Sequence, residues 1–267
     1  MRHHRQLLLA TAILLLAACA SRKPASSSSE KDTRWAAIDS LAGIGQYATA
    51  LQRTDSLLQV AQASGDWRTE FMAWARRSGF LDATGQPTDS AIAPMDRRAA
   101  TAPTPLQQLL RSQLAELWWQ RYAQDRWRIL ERTELDASFD AADPETWSQG
   151  RFTERILRES SASLEPYDSL RHMPVGELGE LLHGDPRARY LRPSVFDVLA
   201  HRALGLYSNS EMRLSQPSWR FTLDQPWHFD LFEPFIFKPL THRDSTAHEF
   251  LALRLYQRLE RASINRD

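Results

Sequence analysis

The chain has 267 residues, with 33 basic and 33 acidic side chains, nine Trp, eleven Phe and a single cysteine. That length carries enough apolar side chain for a substantial core, and the balanced charge argues against a polyanion-binding role. One cysteine excludes an internal disulfide framework and a cysteine-based metal site.

The N-terminus comes first in chain order and is the richest in signals. Arg2 and Arg5 form a positive start, and Leu7–Leu16 is an apolar run of secretory-signal length, too short to read first as a bilayer span of about 20 residues. It ends in Leu16-Ala17-Ala18-Cys19, and small residues before a cysteine at this place resemble the lipobox of bacterial lipoproteins. The resemblance implies a signal peptide over 1–18, cleavage between Ala18 and Cys19, and acylation of Cys19. Several acyl chains give a stable anchor, because each buried methylene adds roughly 0.8 kcal/mol. By the same analogy, Ala20 after the cysteine favours the outer membrane, with the domain in the periplasm. Residues 19–31 read as a Ser-rich tether with nothing to bury. With the signal removed, residues 19–267 are slightly acidic, and 32–267 read as a helical domain.

From Trp35 to Leu81 apolar residues recur at spacings of three and four, through Ile38, Leu41, Ile44, Ala50, Leu51, Leu57, Leu58 and Ala61, which predicts amphipathic helices rather than strands. A turn is expected near Gly45, a second helix ending at Gly65-Asp66, and a third capped by Asp66 and running through Phe80. Gly45–Leu51 resembles the turn and second-helix start of a tetratricopeptide repeat, so the start is read as antiparallel hairpins of that kind. Residues 82–104 are rich in Thr, Pro and Ala, a possible sub-boundary carrying a short helix at Ser90–Ala100. Residues 105–132 predict the strongest helix, with Leu106, Leu109, Leu110, Gln113, Leu114, Leu117, Trp118 and Tyr122 on its buried stripe. Asp143-Pro144-Glu145 predicts a helix start with the helix running to Leu164. Short helices follow at Met173–Leu182 and 193–208. Residues 215–240, rich in Pro and aromatics, show no period, and Thr241–Ala262 predicts the last helix. No alternating strand pattern bounded by turn pairs occurs. The expected class is all-α.

Asp197 and His201 are the candidate catalytic residues, four apart on one predicted helix with Arg202 beside them. Ser194 and Asp197 fit a capping box, and an acid–histidine pair at this spacing can hydrogen-bond. The structural reading is a pair that hold each other. The catalytic reading needs a nucleophile, and the only one on the helix, Ser208, lies two turns from His201. Metal ligation finds no spacing to use: His242 and His248 are six apart on the predicted last helix, and no HExxH motif exists. The acidic run Asp136, Asp140, Asp143, Glu145 lacks the glycine and spacing of a calcium loop. Trp118-Trp119, Tyr122 and Trp127-Arg128 could stack bases, but Glu116, Asp125 and Glu131 interleave the arginines, so core packing with solvated charge is expected. No phosphate loop or GxSxG elbow occurs. No cofactor, metal or nucleic-acid partner is expected, and the domain is read as no enzyme.

Five stretches taken in order are AELWWQRYAQDRWRILERT (115–133), DPETWSQGRF (143–152), YLRPSVFDVLAHRALGLY (190–207), QPSWRFTLDQP (216–226) and LALRLYQRL (251–259). Together they resemble the N-terminal helical region of large α2-macroglobulin-like lipoproteins of Bacteroidota. The resemblance implies a helical region preceding β-sandwich macroglobulin domains in proteins linked to protease inhibition or trapping, some through a Cys–Gln thioester. No Cys-x-Glu-Gln motif occurs here, so only Cys19 carries over as a functional residue. The chain is then either an N-terminal piece of such a protein or a free-standing lipoprotein scaffold holding a protein partner. A hydrolase using Asp197 and His201 is the third reading.

Overall fold

The computed structural model describes residues 28–131, 140, 143–182, 185–209, 211, 219, 221–229, 232–244 and 246–264. Among them all regular structure is helical, and the sole β feature is an isolated bridge between Pro174 and Ser194. The chain divides into a first unit ending at Gln46 and a second beginning at Tyr47.

The first unit holds helix α1, Ser28–Gly43. It takes in the last four residues of the expected Ser-rich tether, as an established helix will, since each added residue gains one backbone hydrogen bond. It closes where the turn was expected: Gln46 N donates to Leu41 O at 2.9 Å and Gly45 N to Ala42 O at 3.0 Å. These are the two bonds of a Schellman cap.

The second unit opens with α2, Tyr47–Ser64, and α3, Trp67–Ala83, packed on each other. Ala50, Thr54, Leu57, Leu58 and Ala61 make one buried stripe on α2. Gly65, at φ +70°, lets the chain turn back without a Cβ penalty; Asp66 N then reaches Ala61 O at 3.0 Å, and the Asp66 carboxylate caps α3 by accepting from Thr69 N and Thr69 Oγ1. The same pair of closing bonds recurs at Gly85. Helix α4, Asp89–Ala99, contains Pro94, which has no N–H to give the carbonyl of Ser90. Arg77 of α3 supplies the missing donor, its Nη1 lying 3.3 Å from Ser90 O.

Helix α5, Leu106–Gln124, buries the predicted leucines together with Trp118 and Tyr122, while Gln113 is half-buried. The expected single helix over 105–132 breaks at Asp125, whose backbone leaves the helical region at φ −109°, ψ 15°, while its carboxylate meets Arg121 and Arg128. Five residues, Arg126–Leu130, resume as α6. The next helix also starts later than expected. Asp143 caps only a 3₁₀ turn, Pro144–Thr146; Trp147 is then extended so that its ring stacks on Trp118 at 5.0 Å, and Ser148 caps α7, Gln149–Ala162. A short α8, Tyr167–His172, follows, and the helix expected over Met173–Leu182 is a 3₁₀ segment, Val175–Leu181, kinked at Gly179. Another 3₁₀ turn, Pro186–Leu191, leads into α9, Val195–Tyr207.

In the expected aperiodic region lie a 3₁₀ turn, Pro226–Phe229, and α10, Phe232–Phe237. The last helix, α11, is His248–Ile264 rather than Thr241–Ala262. Its start is displaced because Asp244 closes a local turn, accepting from Thr246 N at 2.9 Å and Thr246 Oγ1 at 2.6 Å. The main core gathers around α9, where Val195, Phe196, Leu199 and Ala200 are fully buried against Leu109, Leu157, Leu170, Leu178 and Leu255. A smaller cluster joins Phe221, Ala247 and Phe250.

Candidate functional site

Helix α9 carries the residues singled out for chemistry, and its first turn is a complete capping box. Ser194 is extended, at φ −121°, ψ 164°, and its hydroxyl accepts from Asp197 N at 3.3 Å. In return one oxygen of Asp197 accepts from Ser194 N at 2.8 Å and Ser194 Oγ at 2.7 Å. The acid, 4% exposed, sits where the helix dipole favours negative charge. The bridge at Pro174 and Ser194 fixes the approach, with Val175 N on Pro193 O at 2.8 Å and Val195 N on Met173 O at 2.9 Å.

His201 does not pair with that carboxylate as expected. Its Nδ1 donates 2.7 Å to the backbone carbonyl of Asp197, one turn back on its own helix. The reason is geometric: the carboxylate turns back to the N-terminal amide, and the carbonyl is the acceptor left within reach of an imidazole at i+4. Arg202 faces α5, donating Nε to Ser112 Oγ at 2.7 Å and Nη2 to Gln113 Oε1 at 3.4 Å. Ser208 is the C-cap, its amide on Leu204 O at 2.9 Å. The three polar residues and the serine therefore diverge along α9. A general base needs hydrogen-bond reach to a nucleophile, and here the ring is tied to its own backbone and the hydroxyl ends the helix.

The charged chemistry that is assembled lies elsewhere. Glu70 of α3 is 1% exposed and takes a forked contact from Arg98 of α4, Nε to Oε1 at 2.5 Å and Nη2 to Oε2 at 3.0 Å. Gln62 and Trp74 donate to the same carboxylate. Burial pushes this acid up, but hydrogen bonds from Arg98, Gln62 and Trp74, with the Arg98 charge, outweigh it and hold Glu70 below its ordinary value. Glu159 of α7, also 1% exposed, meets Arg111 of α5 at 2.7 Å and Arg155 at 2.9 Å, and Asp96 of α4 bridges the same two arginines. Both acids lie on apolar stripes, Glu70 one turn before Trp74, Glu159 three after Ile156. That placement is the signal by which the sequence could have marked them as paired and buried. These networks join helices, and each carboxylate has its arginine, so they act as ties.

The remaining candidates separate. Glu145 pairs with Arg121 and Arg128, Asp143 caps its turn, and Asp140 engages Thr146 through its backbone; Asp136 lies outside the described residues. His242 is not on the last helix: its Nε2 meets Trp219 O at 2.9 Å, whereas His248 opens α11. No group of three or more metal-ligating side chains gathers among the described residues. Trp118 and Tyr122 are buried, Arg155 lies over the Trp118 ring, and Trp127 is 79% exposed. Ala18 and Cys19 lie outside the described residues. No described helix is long and apolar enough to cross a membrane. Compared with family models, curated proteins and solved structures, the chain matches none of them.

Proposed function

We propose that this chain is a lipid-anchored, non-catalytic helical scaffold of the bacterial envelope, held at the outer membrane and facing the periplasm. On the family resemblance, it braces the macroglobulin part of a protein that inhibits or traps proteases. The observation that carries the anchor is the place of the single cysteine, Cys19, directly after an apolar signal run ending in two alanines. The non-catalytic part is supported by the use of Asp197 as a buried cap and of His201 as a donor to its own helix.

The anchor is tested by radioactive palmitate: the wild-type chain is expected to be labelled and membrane-bound, and Cys19→Ser to lose both. A Cys19→Ser chain acylated and retained as before would overturn it. Reading the DNA beyond the Asp267 codon tests the brace, which requires a continuing frame with β-sandwich sequence.

A free-standing scaffold binding a protein partner is the second reading. The packing of α2 on α3 and the recurrence of one glycine closure at Gly45, Gly65 and Gly85 favour it. A stop codon after Asp267 would select it. Helix ends twenty residues apart make a helix pair of about 40 residues, longer than the 34 of a tetratricopeptide unit, so the likeness is to helix-hairpin repeats broadly. A hydrolase working through this helix would require peptidase or glycosidase activity that His201→Ala abolishes.

A further inference from the structure

A groove of about 330 Å³ opens where the end of α7, the end of α9 and the middle of α11 meet. Its apolar lining is aliphatic apart from the Tyr207 ring, with Leu164 and Leu255 buried and Leu251 half-buried. Tyr207 and Ser161 bring hydroxyls to it, 3.3 Å apart, and Tyr207 Oη lies 3.4 Å from Ser160 Oγ. Such contacts are long for hydroxyl pairs, which favour about 2.7–2.8 Å, so these groups retain capacity for another partner.

Two arginines on one face of α11 border the groove, and they differ. Arg258 is committed: its Nη2 meets Glu165 Oε1 at 2.8 Å and its guanidinium lies over the Tyr167 and Phe196 rings. Arg254, one turn earlier, is exposed and makes no ion pair or hydrogen bond among the described residues. With Arg258 balanced by Glu165, the groove holds one uncommitted cation beside a leucine floor.

We propose that this groove binds a short aliphatic carboxylate, its head on Arg254 and its chain on Leu164, Leu251 and Leu255. A planar carboxylate matches the guanidinium fork. A dianion would bring a second negative charge towards Glu165 with no cation left for it. The aliphatic floor selects a chain rather than a polar body, and the volume, at the small end of the roughly 300–1,000 Å³ of ligand pockets, keeps that chain short. A free acid is the occupant proposed because Arg254 alone meets its head and the leucines take its chain, whereas a peptide terminus would also have to place an amide on the Tyr207 and Ser161 hydroxyls.

Hexanoate titrated into the full chain, read by leucine methyl signals, tests this. Saturable shifts at the three groove leucines are expected, with a Kd on the order of 1 mM. Arg254→Ala and the uncharged analogue 1-hexanol are each expected to weaken binding about tenfold, as for loss of a charge-assisted bond. Leu251→Trp, which fills the groove, should abolish the shifts while other leucine signals stay in place. Four results would overturn the proposal: no saturation by about 50 mM, well beyond that range; hexanol binding as well as hexanoate; unchanged affinity in Arg254→Ala; or tighter binding of N-acetyl-leucine, which would assign the groove to a chain terminus.

Discussion

The carboxylate of Asp197 accepts from both the amide and the hydroxyl of Ser194, so its removal leaves two buried donors at a helix entry without that partner. Asp197→Ala is expected to cost about 1–2 kcal/mol, the range of lost N-caps, read as a lowered urea midpoint. His201→Ala, which loses one local bond on a half-buried ring, should cost under about 1 kcal/mol; equal losses would argue that the two act as a pair after all. Glu70 poses a sharper case. Arg98→Ala strands a carboxylate that is 1% exposed, and breaking such a pair costs about 3 kcal/mol or more. Glu70→Leu with Arg98→Met removes both charges and leaves only the Trp74 and Gln62 donors without their acceptor, so it should cost less, about 1–2 kcal/mol. The pH dependence has a definite sign. Glu70 is held below its ordinary value of 4.5 in the folded chain, so its stabilisation is fully present above that value and is lost as pH falls through the lower, folded one. Urea midpoints measured from pH 5 downward should fall more steeply in wild type than in the double variant, and parallel curves would remove Glu70 from the acid response.

Closure of helices α1, α2 and α3 uses one device, a glycine that completes two backbone bonds past the last turn. Gly65 stands at φ +70°, where any Cβ is strained whatever the space around it, while Gly79 lies inside α3, with nothing within 4 Å of the place an added methyl would take. Gly65→Ala should therefore destabilise by about 1–2 kcal/mol, and Gly79→Ala should stabilise by about 0.5–1 kcal/mol. Thermal midpoints of the two variants moving the same way would contradict this. The closures at Gly45 and Gly65 were legible in the sequence because glycine and the Asp66 cap act on their immediate neighbours. So was the stripe of α5, which needs only its own period. What was not legible depends on partners far along the chain. Helix α7 starts at Ser148 because Trp147 must extend to stack on Trp118, and α5 breaks where Asp125 meets Arg121 and Arg128. The candidate site divides in the same way. The capping box was readable from Ser194 and Asp197, but the carbonyl that takes His201 was not, because an acid and a carbonyl compete for the ring and spacing alone does not rank them.

Within the second unit, the main cluster runs from α5 through α7 and α8 to α9 and α11, while Phe221, Ala247 and Phe250 form a cluster of their own. The segment carrying α10 buries Ile236 and is tied to α11 by polar contacts to backbone: Gln257 Nε2 donates to Phe235 O at 2.7 Å and Lys238 O at 3.0 Å, and Arg261 donates Nε at 3.1 Å and Nη2 at 2.6 Å to Ile236 O. These donors satisfy carbonyls that a short helix leaves open at its C-terminal end. Local opening costs least where few apolar contacts must be broken. Amides of α9, whose side chains fill the main core, should exchange only on global unfolding, whereas those of α10 should exchange through a separate and cheaper opening. Arg261→Ala tests the separation directly. Losing the forked charge-assisted contact to Ile236 O costs at least about 1.5 kcal/mol, so α10 should exchange roughly tenfold faster or more, with the α9 amides unchanged. Hydrogen exchange read by mass spectrometry distinguishes the outcomes: if α9 and α10 accelerate together, the two clusters open as one and α10 belongs to the main core.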